Sequence, residues 1–331
     1  MKACFAGNKE KLHEVYPDYI RQKLSETYNF DADFVLTQDN LAENSERALD
    51  IEYIFSTWNM PSWSEDEIRT YLPNLKAVFY AAGTVQYFAK PFLENGVRVF
   101  SAWKANGLPV AEYTFAQIVL ANKKYFRYVR KNPFGWLKKE KVHIPMGNYK
   151  FKVGILGGGA IGSEVIARLK TLECEIYLFS ITKSQEEAEK EGIHLCSLHE
   201  IFRECDVISN HLANNPQTQK IITKELLCSM KPDATFINTG RGAQVDEKGL
   251  CVALLQKKDR TALLDVTHPE PPEFYSPLWY LPNVFMTPHI AGSLGQEVWR
   301  MADYMYKESV ALTNNQPLQY EVTAEMLKTM A

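Results

Sequence analysis

The stretch that most constrains this chain is a strand-like run, residues 152–156, followed directly by glycines. Gly157 to Gly162 have the spacing Gly-x-Gly-x-x-Gly and lead into a helix-like segment over 163–172. In this context the glycines permit a tight turn, close approach of the backbone to a pyrophosphate, and close helix packing. The free N–H groups of a helix N-terminus favour the phosphates. The pattern predicts a dinucleotide site that includes Gly157, Gly159, Ala160, Ile161 and Gly162.

The end of the second strand of such a fold indicates which nicotinamide dinucleotide binds. A carboxylate there accepts hydrogen bonds from the ribose hydroxyls and repels a 2′-phosphate. Here the place holds Ser180, which lies 18 residues after Gly162 and is followed by Thr182 and Lys183. Two hydroxyls and an ammonium can hold a phosphate. We therefore expect NAD(P) as the cofactor with NADP(H) favoured, and NAD(H) remains the alternative.

Strand-like and helix-like segments alternate through the chain, which predicts an α/β fold with parallel sheets. The predicted strands of the first part are 2–6, 33–36, 52–55, 77–80 and 97–100. Those of the second part are 153–156, 175–179, 206–209, 234–237, 262–264 and 284–286. The spacing of Ser64 and Glu67 predicts a capping box at the start of a helix. We expect two Rossmann-like or flavodoxin-like α/β domains.

The length of 331 residues exceeds what one hydrophobic core usually supports, so two domains are expected. An amphipathic segment from Leu108 towards Tyr128, followed by the breaker Asn132-Pro133-Phe134-Gly135, is predicted to be the bridging helix. A helix over 295–312 is predicted to return to the first domain. The predicted division is a substrate-binding domain, 1–105 with 296–331, and a dinucleotide-binding domain, 106–295, with a cleft between them.

Composition argues against several classes of protein. A net charge of −3 provides no positive field for nucleic acid. The longest candidate membrane stretch, 110–121, contains Glu112 and is too short to span. The chain begins without a run that resembles a signal peptide, so we predict a cytoplasmic protein without a membrane partner. The 6 cysteines lack metal-site spacing, which predicts reduced thiols and no metal site.

Three later segments carry polar residues directly after apolar, strand-like runs. They are Asn-Thr-Gly-Arg-Gly from Asn238, Asp-Val-Thr-His-Pro-Glu-Pro from Asp265, and Thr-Pro-His-Ile-Ala-Gly from Thr287. The carboxyl ends of parallel strands lie at one edge of a sheet, so these polar residues are expected at the edge that binds the dinucleotide.

From about Lys76 to its end the chain resembles the D-isomer-specific 2-hydroxyacid dehydrogenase family. The glycine fingerprint, Asn-Thr-Gly-Arg-Gly followed by Val245-Asp246-Glu247, and the other two segments occur in the family's order. The resemblance implies an NAD(P)-dependent oxidoreductase that acts on a small 2-keto acid or D-2-hydroxy acid. It also implies a homodimer formed through the cofactor domain.

The resemblance implies Arg241, Glu270 and His289 as the catalytic set, and the chemistry agrees with it. A guanidinium can bind the substrate carboxylate and polarise the neighbouring carbonyl, which is the role of Arg241. Imidazole is a suitable acid and base near neutrality, so His289 would donate a proton in reduction and accept one in oxidation. Glu270 would orient the ring and stabilise its protonated form.

Further contacts are implied on both sides of the reaction. Asp265 is expected near the nicotinamide carboxamide, and His211 and Thr239 are expected to line the cofactor. Ala82, Gly83 and Thr84 occupy the place of the family's glycine-rich loop, whose backbone N–H groups bind the substrate carboxylate. This loop has fewer glycines than the family's, so the substrate stays open.

Two other functions are compatible with these motifs. One is a dinucleotide-sensing binding protein, similar to a corepressor, without significant turnover. The other is a dehydrogenase for an acid without a hydroxyl group, such as formate, which would demand a smaller pocket. The intact pair of Glu270 and His289 favours the enzyme.

Overall fold

The structure is a computed structural model, and it describes residues 1–131 and 147–328. The chain forms two compact units, Met1–Gly107 with Ser293–Ala331, and Leu108–Gly292. The predicted breaker at 132–135 and the last three residues, 329–331, lie outside the described residues.

In its described part the first unit contains a sheet of six strands, β1 (Lys2–Ala6), β2 (Asn29–Leu36), β3 (Tyr53–Ser56), β4 (Ala77–Tyr80), β5 (Arg98–Ser101) and β13 (Glu321–Val322). Their order in the sheet is β13-β5-β4-β3-β1-β2. Neighbours among β1 to β5 pair in parallel, and β13 pairs antiparallel with β5. Alternate strand residues enter two apolar clusters, so that Phe55 and Phe79 lie in one and Ile54 and Val78 in the other. Both faces of this sheet are therefore covered, as parallel sheets require.

The helices of the first unit follow the predicted alternation. They are α1 (Lys9–Val15), α2 (Asp18–Thr27), α3 (Ser45–Ala48), α4 (Glu65–Tyr71), α5 (Ala89–Glu94) and α13 (Glu297–Thr313). The predicted capping box is confirmed, because the hydroxyl of Ser64 accepts the N–H of Glu67 while the Glu67 carboxylate accepts the N–H of Ser64.

The second unit contains a parallel sheet of seven strands among the described residues, in the order β12-β11-β10-β9-β6-β7-β8. The strands are β6 (Phe151–Leu156), β7 (Cys174–Phe179), β8 (Ile193–Leu195), β9 (Val207–Asn210), β10 (Thr235–Asn238), β11 (Thr261–Leu264) and β12 (Val284–Met286). The helices are α6 (Trp103–Asn122), α7 (Tyr125–Lys131), α8 (Ala160–Leu169), α9 (Gln185–Lys190), α10 (Leu198–Glu204), α11 (Lys224–Ser229) and α12 (Glu247–Gln256). The boundary with the first unit falls within α6. The predicted α/β class with parallel sheets is confirmed.

Several element predictions were wrong or incomplete. The short strands β8 and β13 were not predicted. The bridging helix begins at Trp103 and not at Leu108, and it continues through Pro109. Proline favours the first turn of a helix, which misplaced the start, whereas inside a helix it removes one backbone hydrogen bond. The helix after the glycines begins at Ala160, three residues before the predicted start.

Among the described residues, no helix combines the length and the apolar character that a membrane span needs.

Candidate active site

The predicted cofactor and catalytic residues of the second unit follow the carboxyl ends of its strands. Gly157 follows β6, His211 follows β9, Thr239 follows β10, Asp265 follows β11 and Thr287 follows β12. The final residues of β9, β10, β11 and β12 are also in register with one another. Because the sheet is parallel, the loops that carry these residues all emerge at one edge.

The glycine turn has no room for a side chain at its first and last glycines. Gly157 has a φ of +102°, and a Cβ there would lie 2.6 Å from the carbonyl oxygen of His211. A Cβ at Gly162 would lie 1.9 Å from the carbonyl oxygen of Gly157. At Gly159, by contrast, a Cβ would meet no described heavy atom within 4 Å. The turn is therefore packed tightly against neighbouring backbone at Gly157 and Gly162, and it is open at Gly159.

Helix α8 begins directly at this open glycine. Gly159 is its N-cap and provides no side chain to accept the first N–H groups. Ala160 is exposed in the first turn, while Ile161 packs partly against the core. These N–H groups can therefore serve an anion.

The loop after β7 is folded around the side chain of Ser180. Its Oγ accepts the N–H groups of Thr182 and Lys183, both at 3.2 Å, and lies 3.2 Å from Oγ1 of Thr182. The ammonium of Lys183 forms an ion pair with Glu191. A Cβ at Gly158 would lie 3.0 Å from Oγ of Ser180, so this loop adjoins the glycine turn.

His211 and Thr239 belong to a buried cluster of hydroxyls. Nε2 of His211 lies 2.9 Å from Oγ of Ser209, and its Nδ1 lies 3.4 Å from Oγ1 of Thr239. Thr239 in turn lies 3.2 Å from Oγ1 of Thr114. Burial lowers the pKa of His211 to about 3. This imidazole is consequently neutral at physiological pH.

The backbone of Arg241 is held in place by hydrogen bonds to two amide side chains. Its N–H donates to Oε1 of Gln244 at 3.1 Å, and its carbonyl accepts from Nδ2 of Asn238 at 3.2 Å. The guanidinium donates to the carbonyl of Gly240 at 2.8 Å. Burial lowers the pKa of Arg241, and the nearby negative charge of Glu270 opposes that shift. The arginine and the carboxylate therefore share one electrostatic environment.

The Arg241 loop packs directly against the loop that carries Glu270. A Cβ at Gly242 would lie 2.0 Å from the carbonyl carbon of Thr267 and 2.5 Å from the nitrogen of His268. The carboxylate of Glu247 accepts the N–H of His268 at 2.7 Å. Burial raises the pKa of Glu247. The two loops are thus joined by backbone contact and by one carboxylate.

His289 and Glu270, which the sequence predicts to be neighbours, are in direct contact. Nδ1 of His289 lies 2.6 Å from Oε1 of Glu270. Both side chains remain accessible, at 49% and 41% exposure. Pairing through Nδ1 leaves Nε2 as the atom that can face a substrate oxygen.

Asp265 anchors the loop that carries His289. It is 3% exposed, and its carboxylate accepts from Oγ1 of Thr287 at 2.7 Å and from the N–H groups of Ile290 at 2.8 Å and Ala291 at 2.9 Å. Its backbone carbonyl accepts the N–H of His289 at 3.0 Å. These bonds hold His289 at a φ of +54°, in the left-handed region.

The predicted substrate loop belongs to the first unit. Ala82, Gly83 and Thr84 follow β4, and the hydroxyl of the buried Ser101 lies 2.9 Å from the Ala82 carbonyl and 2.7 Å from that of Gly83. A Cβ at Gly83 would lie 3.3 Å from Nδ2 of Asn106. The backbone of this loop is therefore fixed on its protein side.

The sequence profile described as "D-isomer specific 2-hydroxyacid dehydrogenase, NAD binding domain" matches residues 116–291, more than half of the chain. The chain belongs to the D-isomer specific 2-hydroxyacid dehydrogenase family. The matched region holds the glycine turn and all three predicted catalytic residues.

The chain is similar to proteins that are named for different substrates. A D-3-phosphoglycerate dehydrogenase of Methanocaldococcus jannaschii is 32% identical over 219 residues, which are 66% of this chain and only 41% of that protein. Glyoxylate/hydroxypyruvate reductase A of Salmonella newport is 32% identical over 222 residues, 65% of this chain and 68% of the relative. D-mandelate dehydrogenase of Rhodotorula graminis has the same fold, with a TM-score of 0.81, 19% identity and 97% of each chain covered.

Three features of the site were not predicted from the sequence. The anchoring role of Asp265, the contact of Glu247 with the His268 backbone and the carboxamide of Gln244 were not predicted. A polar residue at 244, between small and apolar neighbours, was the available signal for Gln244. The other two contacts join segments about twenty residues apart and leave no pattern in the sequence.

Proposed function

We propose that this chain is a nicotinamide-dependent oxidoreductase that interconverts a small 2-keto acid and its D-2-hydroxy acid. The observation that carries the proposal is the 2.6 Å contact between Nδ1 of His289 and Oε1 of Glu270, whose loop packs against the loop of Arg241. A guanidinium and a carboxylate-backed imidazole are the groups that reduction of a keto acid needs.

In the proposed reaction, Arg241 binds the substrate carboxylate and polarises the keto oxygen. The dinucleotide supplies a hydride to the keto carbon when it is bound. The protonated His289 gives its Nε2 proton to the oxygen, and Glu270 compensates the positive charge of the ring until that transfer. In oxidation, the neutral ring takes the hydroxyl proton.

The first unit is proposed to bind the substrate and the second to bind the dinucleotide. Ala82, Gly83 and Thr84 would offer backbone N–H groups to the carboxylate, which their fixed loop supports. The glycine turn with its open Gly159 supports the dinucleotide site.

The proposed cofactor is NAD(P) with NADP(H) favoured, because Ser180, Thr182 and Lys183 gather two hydroxyls and an ammonium at the place of the usual carboxylate. A 2′-phosphate would compete with Glu191 for Lys183.

Replacing Lys183 by Met should lower kcat/KM for NADPH roughly tenfold and leave kcat/KM for NADH unchanged. Lys170→Met is the matched control, since Lys170 also pairs with Glu191, at 3.3 Å. Equal losses for both dinucleotides in Lys183→Met would refute the preference.

The substrate is proposed to be a small keto acid of the kind that the relatives' names indicate, such as glyoxylate, hydroxypyruvate or a phosphorylated homologue. The test is oxidation of NADH and NADPH, followed by absorbance at their characteristic band, with a panel of keto acids and with formate plus NAD⁺. Turnover of a keto acid supports the proposal. Dinucleotide binding without turnover of any acid would instead identify a sensor.

A homodimer is proposed through α6 and α7 of the second unit. Leu120, Tyr125 and Val129 on these helices are 36%, 47% and 60% exposed, so these helices offer apolar surface to a second copy of the chain. Light scattering should give twice the chain mass, and Val129→Glu should reduce it to one chain.

A further inference from the structure

Gln244 is a buried carboxamide at the edge of the sheet that carries the site. It lies in a single 3-10 turn, Gly242–Gln244, three residues after Arg241, and it is 0% exposed. Burying an amide is unfavourable unless its donor and acceptor are both satisfied. Its partners therefore indicate what the residue is for.

The oxygen of the carboxamide faces the arginine loop. Oε1 of Gln244 accepts the backbone N–H of Arg241 at 3.1 Å and Nδ2 of Asn210 at 2.7 Å. Asn210 also donates to Oδ1 of Asn238 at 3.0 Å, and Asn238 holds the carbonyl of Arg241. Both backbone polar groups of Arg241 are thus fixed by one network of amides.

The nitrogen of the carboxamide faces the cofactor side. Nε2 of Gln244 donates to the carbonyls of Leu212 and Ala213, both at 2.9 Å. The preceding residue, His211, presses on the glycine turn, since a Cβ at Gly157 would lie 2.6 Å from its carbonyl oxygen and 3.0 Å from the nitrogen of Leu212. One side chain therefore joins the segment behind the glycine turn to the root of Arg241.

We infer that Gln244 is a positioning residue, which sets the Arg241 guanidinium relative to the dinucleotide turn. The inference rests on the proposed function and goes beyond it. Methionine has the size of glutamine but neither the donor nor the acceptor, and glutamate keeps the acceptor but loses the donor. The position thus needs an amide to hold both segments at once.

A purely structural amide would stabilise the fold without affecting kinetics, and Asn283 provides that control. Nδ2 of Asn283 also bridges two backbone carbonyls, those of Leu254 and Arg260, at 3.2 and 2.8 Å. It precedes β12, at the amino edge of the same sheet and opposite the site. Asn283→Leu should lower Tm without changing either KM.

The experiment compares Gln244→Met with Asn283→Leu in the full chain, by Tm and by KM and kcat for a turned-over keto acid and its dinucleotide. Gln244→Met should lower kcat/KM for the keto acid roughly tenfold or more, because small misplacements of a substrate-binding group are costly. A fall in Tm equal to that of Asn283→Leu, with kcat/KM within about twofold of wild type, would overturn the inference.

Gln244→Glu keeps the inference testable if Gln244→Met does not fold. It retains an oxygen towards Arg241 and sets another against the carbonyls of Leu212 and Ala213, so KM for the dinucleotide should rise while KM for the keto acid stays within about threefold. Equal changes in both would overturn the inference. Absence of turnover in the wild type would defeat the proposed function itself, a different result from an active wild type with a kinetically silent Gln244.

Discussion

The strand ends of the two units are held by different kinds of hydrogen bond. In the first unit, hydroxyls bond to backbone carbonyls: Ser56 to Ala6 at 2.6 Å, and Thr57 to Ala81 at 2.9 Å. In the second, bonds from side chains to backbone groups, such as those of Asp265, occur together with bonds between two side chains. Asn210 with Asn238 and His289 with Glu270 are pairs of the latter kind. The first arrangement fixes the shape of a loop, whereas the second also holds the side chains to which we assign the proposed chemistry. We therefore expect substitutions at the second edge to abolish chemistry and those at the first to alter affinity.

The largest effect is expected for His289→Asn. Loss of the general acid should lower kcat for keto-acid reduction roughly 10³-fold, with little change in Tm because the side chain is 49% exposed. His268→Asn is the control, since His268 donates to Glu247 through its backbone N–H. A wild-type kcat in His289→Asn would show that the proton donor is not His289, and the proposed difference between the two units would then be wrong.

A smaller loss is expected for Arg241→Lys. The variant keeps the positive charge but loses the planar fork that binds a carboxylate through two N–H groups, so kcat/KM should fall roughly 10- to 100-fold. Steady-state kinetics with the keto acid varied would measure it. Arg203→Lys, at a side chain 72% exposed, should have no effect. Unchanged kcat/KM in Arg241→Lys would show that a point charge is enough.

Glu270→Gln should reduce kcat for reduction roughly tenfold. The amide can still orient the ring through Nδ1, but it no longer compensates the positive charge of the imidazolium. Steady-state kinetics of keto-acid reduction measures this kcat, and a wild-type kcat in Glu270→Gln would contradict the assigned role.

The smallest effect is expected in the first unit, for Ser101→Ala. Losing the hydroxyl frees the carbonyls of Ala82 and Gly83, so KM for the keto acid should rise about threefold and stability should fall by about 1 kcal/mol. Ser56→Ala should cost similar stability without changing KM. A loss of kcat in Ser101→Ala as large as that in His289→Asn would place catalytic chemistry in both units.

Sequence patterns predicted most strands, because each buried strand is a run of apolar residues between turns. They did not predict β8 or β13, two short edge strands whose sequences, Ile-His-Leu and Glu-Val, form no continuous apolar run. The start of α6 was also misplaced. Proline is common in the first turn of a helix, so Pro109 locally favours a start near Leu108, but the helix begins at Trp103 and continues through the proline.

The site was predictable as far as it depends on strand ends. Apolar runs followed by Arg241, Glu270 and His289 placed these residues at one edge, and the pairing of His289 with Glu270 agrees with that geometry. What holds them was not predictable. Asp265 and Gln244 act through bonds to backbone groups of other segments, and backbone groups have no identity in a sequence.

The bonds of Asp265 give the His289 loop a consequence for spectroscopy. The amide protons of Ile290 and Ala291 point at a carboxylate that is 3% exposed, although the neighbouring His289 is open to solvent. Their exchange with deuterium should therefore be slow and should report release of the anchor itself. These two amide protons, which lie beside the proposed proton donor, thus report any event that breaks the hydrogen bonds between Asp265 and the His289 loop.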